Sequence, residues 1–294
     1  MHSGVYAKYQ LERYLKIPVS IAYPSVSTVY DTKFNFTRTI ILAISQSGKG
    51  LDILDVVKDA NERGALTIAI TNELESLLAK EAKYHLYCNA NKAVSYAATK
   101  TFTLTMYLIN KLIYSITKNN DIKIEEDKLI SSLKAGLSYQ DKLHELALKF
   151  KNAEHTFVLA RGYTLALAME TALKMKETSH YDVNAYPISE FFHGPIAMTS
   201  EKTALIVLSI DDITNHNTKE FFEKIKNINV YKLLITNDKA LNKYADDAIL
   251  IEEQNSLYRV FITIIIIQLF AGELSTLRGI NPDYLEILHG IKTI

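Results

Sequence analysis

Short apolar runs alternate along this chain with longer stretches in which apolar residues recur every three or four positions. In the first half the runs fall at residues 39–44, 65–70 and 84–88. Helical periodicity covers 3–15, 51–62, 73–81 and 97–117. Residues 118–153 carry charged helical sequence and no strand signal. The second half repeats the alternation, with strands predicted at 155–160, 203–209, 230–235 and 247–251 and helices at 164–178, 216–227 and 255–277. Strands separated by amphipathic helices imply βαβ units and parallel sheets, an α/β fold. The expected organisation is a first domain over 1–120, a helical connector over 121–152 and a second domain over 153–294. Val230-Tyr-Lys-Leu-Leu-Ile-Thr-Asn237 echoes Ala65-Leu-Thr-Ile-Ala-Ile-Thr-Asn72, which suggests an internal duplication.

The stretch Thr39–Asp52 is the most informative. An apolar run stops at Ser45-Gln46-Ser47-Gly48, and a helical pattern begins near Leu51. A strand, a polar turn and a helix N-terminus together offer hydroxyls, free backbone N–H groups and the positive end of a helix dipole, a combination suited to a phosphate. The G-x-x-x-x-G-K-[ST] pattern of nucleotide-binding loops is absent. In open parallel sheets ligands bind at the carboxyl ends of the strands, where this turn lies. Arg161-Gly162-Tyr163 lies at another such end.

Composition narrows the partners. The 294 residues include 33 basic and 33 acidic side chains, for a net charge of zero. No basic patch points to nucleic acid or an anionic membrane. The single cysteine, Cys88, reads as a small buried hydrophobe, and one cysteine suits a reducing cytoplasm. No signal peptide is visible. The apolar run Val260–Phe270 is shorter than the ~20 residues that span a bilayer, so a buried helix or subunit contact is expected there.

Glu170, Lys174 and Glu177 are spaced by four and three, which puts them on one face of the helix predicted at 164–178. That spacing fits a solvated salt-bridge ladder. It also fits a carboxylate base, Glu177, beside a lysine. A second cluster, Ser189-Glu190-Phe191-Phe192-His193-Gly194-Pro195, fixes a histidine in a turn anchored by two phenylalanines. His193 suits a structural role and proton exchange near neutral pH equally. Ser95 and Thr99 are placed either to cap the helix at 97–117 or to add donors to an anion site. No metal-ligand spacing and no G-x-S-x-G elbow occur, which leaves acid–base chemistry on a phosphorylated small molecule, without metal or cofactor.

Ser45-Gln46-Ser47-Gly48, Ala97-Ala98-Thr99-Lys100, Glu170-x-Ala172-Leu173-Lys174-x-Lys176-Glu177 and Glu190-x-x-His193-Gly194-Pro195 occur in an order that resembles the double sugar-isomerase (SIS) domain family. The resemblance extends over essentially the whole chain. It is nearest to the isomerase half of glucosamine-6-phosphate synthases and to stand-alone glucosamine-6-phosphate deaminases. It implies two three-layer α-β-α domains with parallel sheets. It also implies that Ser45, Gln46, Ser47, Gly50 and Ser95 hold the sugar phosphate, and that Glu177 moves a proton between C1 and C2. Glu170 and Lys174 would line the pocket, and His193 would help open the sugar ring, reaching into a neighbouring subunit's site in a homodimer. Deamination or isomerisation of an aminosugar or hexose 6-phosphate is the expected activity; a non-catalytic sugar-phosphate sensor is the alternative.

Four positions depart from the family pattern. His2-Ser3-Gly4 begins the first helix with no preceding strand and Gly-Thr-Ser loop, so the first sheet is expected to lack, or to borrow, its first strand. Gly50, beside Lys49, stands where a threonine is usual. Ala93 replaces an acidic residue. Gly290 stands at the position of the family's tail lysine, within Leu285–Gly290, with Lys292 two residues on.

Overall fold

The computed structural model describes residues 1–92, 95 and 97–284. The departures at Ala93, Gly290 and Lys292 lie outside the described residues. The first half forms α1 (His2–Leu15), α2 (Ser25–Thr28), β1 (Ile40–Ile44), α3 (Leu51–Glu62), β2 (Leu66–Thr71), α4 (Leu77–Glu81), β3 (Tyr84–Tyr87) and α5 (Lys100–Thr117). Its three strands are parallel, in the order β1-β2-β3. α6 (Glu126–Leu137) and α7 (Gln140–Phe150) follow, as the charged helical sequence predicts. The second half forms β4 (His155–Ala160), α8 (Leu165–Ser179), β5 (Val183–Pro187), α9 (Ile188–Phe191), β6 (Thr203–Ser209), α10 (Asn215–Lys224), β7 (Tyr231–Thr236), β8 (Asp247–Leu250) and α11 (Ser256–Leu277). Its sheet is parallel throughout, in the order β5-β4-β6-β7-β8.

Alternation along each strand produces the layers, because successive side chains point to opposite faces. In the second sheet Phe157, Leu159, Leu205, Val207 and Leu234 pack against Phe191, Phe221 and Phe222 of α9 and α10. Their neighbours Val158, Ala160, Ile206, Leu208, Leu233 and Ile235 face α8 and α11. In the first sheet Ala43 and Ala69 meet Val57 and Leu78 of α3 and α4. Leu42, Ile44, Ile70 and Leu86 join the cluster of α1 and α5. That last cluster is continuous with the α8 and α11 side of the second sheet, so one core links the two repeats.

The duplication read from the Thr-Asn echo is structural. β2 and β7 occupy the same place in their sheets. The Asn72 N–H donates to the Gln46 carbonyl at 2.8 Å and the Asn237 N–H to the Ser209 carbonyl at 3.3 Å. The Thr71 and Thr236 carbonyls likewise accept from Cys88 and Ile251, at 2.8 and 2.7 Å.

The repeats differ at one edge. β6 lies between β4 and β7, and every one of its residues is buried. β1 holds the corresponding place in the first repeat but pairs only with β2. Of its five residues only Ala43 is buried, and Ile40 is 56% exposed. Among the described residues no strand takes the part of β4 in the first sheet.

Several boundaries move. The helix predicted at 73–81 shortens to α4, because Thr71 Oγ1 binds the backbone of Glu73 and Ser76 Oγ then caps the helix through the Ala79 N–H. The helix predicted at 97–117 begins at Lys100. β5 is missed by the sequence pattern: it is a short edge strand ending in Pro187, and its residues show no clean alternation. The apolar run at 260–270 is the middle of α11, which at 22 residues and a mean hydropathy of 2.0 has the length and apolarity of a membrane span. Instead it is the core helix: α6, α7 and α8 pack around it, and residues such as Phe261, Ile264 and Ile266 are fully enclosed. Cys88 is buried, and burial pushes its thiol up.

Candidate functional site

The turn after β1 is shaped by Gly48, whose φ of +59° lies in the left-handed region. A Cβ there would meet Ser76 Oγ at 2.2 Å and Ser76 Cβ at 2.6 Å, so both backbone and space require glycine. The turn closes on itself: the Gly48 N–H donates to Ser45 Oγ at 3.1 Å and the Gly48 carbonyl accepts from the Leu78 N–H at 3.3 Å. Gln46, Ser47 and Lys49 are exposed around it, and Ser45 and Gly50 are half-buried. Gly50 is the extended residue before α3, and no side chain caps that 12-residue helix. Its first N–H groups therefore remain free for an anion, with the Ser45 and Ser47 hydroxyls and the Lys49 ammonium beside them. Asp52 is the one acidic side chain in the first turn.

Ser95 is half-buried, and its hydroxyl reaches the Ala97 carbonyl at 3.5 Å. Thr99 precedes α5 without a side-chain cap, so neither hydroxyl caps that helix.

Glu170, Lys174 and Glu177 form a row along α8, and the row is not a solvated ladder. Glu170 is 4% exposed and Lys174 2%. Lys174 Nζ lies 2.5 Å from Glu177 Oε2 and 3.5 Å from Glu170 Oε1. The Glu177 side chain is 27% exposed, so the row opens to solvent at its Glu177 end. A fourth group joins it across the repeats: His2 Nδ1 lies 2.9 Å from Glu170 Oε2.

His2 also shows how the turn and the row relate. α3 follows β1 and α5 follows β3, so both helices begin at the carboxyl edge of the first sheet. α1 runs parallel to α5: Tyr6 bonds Asn110 at 3.0 Å, while Gln10, Arg13 and Tyr14 share a small polar cavity with Asp121 and Ile122, just past the end of α5. α1 therefore also begins at that edge, and its first residue grips Glu170. The topology brings the Ser45–Gly50 turn and the carboxylate row to the same end of the first sheet.

His193 is placed elsewhere. It is exposed, its backbone N–H donates to the Glu190 carbonyl at 3.0 Å, and Gly194 follows with φ +143°. Phe191 and Phe192 anchor this turn in the cluster on the face of the second sheet opposite α8. Among the described residues no hydrogen bond or ion pair joins His193 to Glu177. His2 is the site residue that sequence reasoning missed; it belongs to no spacing pattern, and only the packing of α1 on α8 reveals it.

The equivalent turn in the second repeat, Ser209-Ile210-Asp211-Asp212, has the opposite chemistry. Burial raises the Asp211 carboxyl, and Asp212 is lowered by its bond from the buried Arg259, Nη2 to Oδ2 at 2.5 Å. Carboxylates there disfavour an anion at this turn.

A family model for the SIS domain matches this chain twice, over residues 1–115 and 149–278. The chain belongs to the SIS-domain family. The glutamine–fructose-6-phosphate aminotransferase [isomerizing] of Chlorobaculum tepidum is 30% identical over 292 residues, covering 96% of this chain and 47% of that protein. This SIS chain thus spans about half the length of the curated relatives it matches. The C-terminal domain of the glucosamine-fructose-6-phosphate aminotransferase of Francisella tularensis superposes with a TM-score of 0.86 at 22% identity, over 96% of this chain and 82% of that one. A glucosamine-6-phosphate deaminase from Thermotoga maritima superposes with a TM-score of 0.75 at 21% identity, over 96% and 84%. At these identities the superpositions show the common SIS fold.

Proposed function

We propose that this SIS protein acts on an aminosugar or hexose 6-phosphate by moving a proton between C2 and C1. The observation that carries the reading is the buried Glu170–Lys174–Glu177 row standing at the same end of the first sheet as the Ser45–Gly50 turn. The turn holds the phosphate, with Ser95 as a further donor, and this binding energy lies remote from the reacting carbons. Glu177, at the open end of the row, takes the proton from C2 of the open-chain sugar. The C–H electron pair forms the C1–C2 double bond while the C1 oxygen takes a proton from solvent. Glu177 then returns its proton to C1. With an amine on C2 the product is an iminium; water adds, ammonia leaves, and the ketose 6-phosphate remains. With a hydroxyl on C2, that hydroxyl gives its proton to solvent and the ketose forms directly. Lys174 keeps the Glu177 carboxylate in place.

His193 stands on an outward-facing turn away from its own chain's Glu177, which supports a role in the site of a second copy. There it assists ring opening, in a homodimer with shared sites.

The test is incubation with glucosamine 6-phosphate in heavy water, following ammonia, fructose 6-phosphate and deuterium at C2. Ammonia with ketose identifies a deaminase. Exchange and ketose formation confined to hexose phosphates identify an isomerase. Tight binding with no exchange overturns the catalytic reading in favour of a sensor.

A further inference from the structure

Among the described residues, His2 is the one side chain from the first repeat that bonds to the charged row of α8. Its ring is 16% exposed. It holds Glu170 through Oε2, at 2.9 Å, while Oε1 stands 3.5 Å from Lys174. A charge-assisted N–H···O bond closes to about 2.7–2.9 Å when nothing opposes it. The Lys174 ammonium is therefore only loosely held by Glu170 and tightly held by Glu177, at 2.5 Å. A buried carboxylate deprived of one donor takes more from the other, because an unsatisfied buried acceptor is costly.

We infer that His2 is a positioning residue: by holding Glu170, it keeps that carboxylate from closing on Lys174 and so leaves the ammonium on Glu177. The phosphate-bearing repeat thereby sets the geometry of the base carried by the other repeat. The catalytic consequence rests on the reading of Glu177 as the base; the geometric one does not. Without the His2 donor, Glu170 draws Lys174 toward itself and the Glu177 carboxylate loses its anchor.

The test separates a hydrogen-bond donor from mere bulk. Asn places its amide N–H₂ close to where the histidine Nδ1 stands, whereas Leu fills the space without a donor. His2→Ala and His2→Leu are expected to lower kcat for C2 exchange about tenfold to a hundredfold, the scale of a misplaced catalytic group. KM for the sugar phosphate should change by less than about twofold, since the phosphate turn is untouched. His2→Asn should restore most of the rate. A His2→Leu variant as fast as wild type, or a His2→Asn variant as slow as His2→Leu, overturns the inference.

An independent readout needs no turnover. The ¹³C resonance of the Glu177 side-chain carboxyl is expected to move in His2→Leu and to return in His2→Asn. An unmoved resonance overturns the inference even in an active enzyme. If wild-type protein exchanges no proton with any hexose phosphate, the proposed function fails, and this resonance alone decides the role of His2. Should His2→Ala fail to fold, the Leu and Asn pair carries the comparison.

Discussion

Lys174 Nζ sits 2.5 Å from Glu177 Oε2 on a helix face where the lysine itself is closed to water. The pair has one member in the core and the other at the solvent end of the row. An ammonium so placed fixes a carboxylate through one oxygen, and among the described residues the second oxygen of Glu177 makes no hydrogen bond.

Glu177→Gln keeps the shape and removes the basic oxygen. C2-hydrogen exchange with solvent should fall by about 10²–10⁴-fold, the usual contribution of a positioned base. Binding of sugar phosphate, measured by calorimetry, should be nearly unchanged. Near-normal exchange in this variant would move the role to another group, and Glu170 would be tested next.

Lys174→Met should cost about 3–5 kcal/mol of unfolding free energy, because the buried Glu170 carboxylate loses its ammonium and keeps His2 as its side-chain partner. Glu170→Gln combined with Lys174→Met should recover a large part of that loss, since the buried charge goes with its partner. Urea unfolding of the two variants measures the difference. A loss below about 1 kcal/mol for Lys174→Met would mean that the row behaves like a surface ladder.

How much of this was legible in the sequence differs from residue to residue. The spacing of Glu170, Lys174 and Glu177 specified a shared helix face, because helical periodicity is a local property. Spacing does not specify burial, which α1 and α11 impose from outside the helix. His2 carries no signal at all, since its contact spans 168 positions along the chain. The Ser45–Gly48 turn was readable because a strand, a turn and a helix start are all local. β5 was not: an edge strand is held by its neighbour β4 rather than by its own pattern. The Thr71 and Ser76 hydroxyls delayed the start of α4 by competing for backbone groups that the helical pattern would otherwise use.

Gly48 and Gly64 form an internal control. Both have positive φ, +59° and +86°, but a Cβ at Gly64 meets nothing within 4 Å whereas one at Gly48 meets Ser76. Gly64→Ala should cost about 1–2 kcal/mol from the backbone alone. Gly48→Ala should cost more in the same thermal or urea assay, and it should also weaken binding of inorganic phosphate. Equal costs would show that Ser76 moves aside freely.

β1 and β6 hold matching places in the two sheets, but among the described residues only β6 is flanked on both sides. Protection from amide exchange follows pairing and burial. Backbone amides of Ile40–Ile44 should exchange faster than those of Thr203–Ser209, by on the order of tenfold or more on average. Hydrogen–deuterium exchange with peptide resolution measures this. Equal protection in solution would mean that the open side of β1 is covered there.

His193 and Glu177 provide a test of site sharing. If His193 serves the site of a second copy, each site needs Glu177 from one chain and His193 from the other. Glu177→Gln and His193→Ala homodimers should each be inactive or nearly so in the full reaction from the closed sugar ring. Mixing them through reversible dissociation makes hybrids in which one site combines both mutations and the other site neither. With random pairing of equal amounts, half of the dimers are hybrids and half of their sites are intact. The mixture should therefore recover about a quarter of wild-type activity, an arithmetic consequence of a two-fold isologous assembly. No recovery, with hybrid formation verified by differently tagged chains, would mean that both residues act within one chain. In that case the turn carrying His193 would have to swing from the α9 face of the second sheet toward α8.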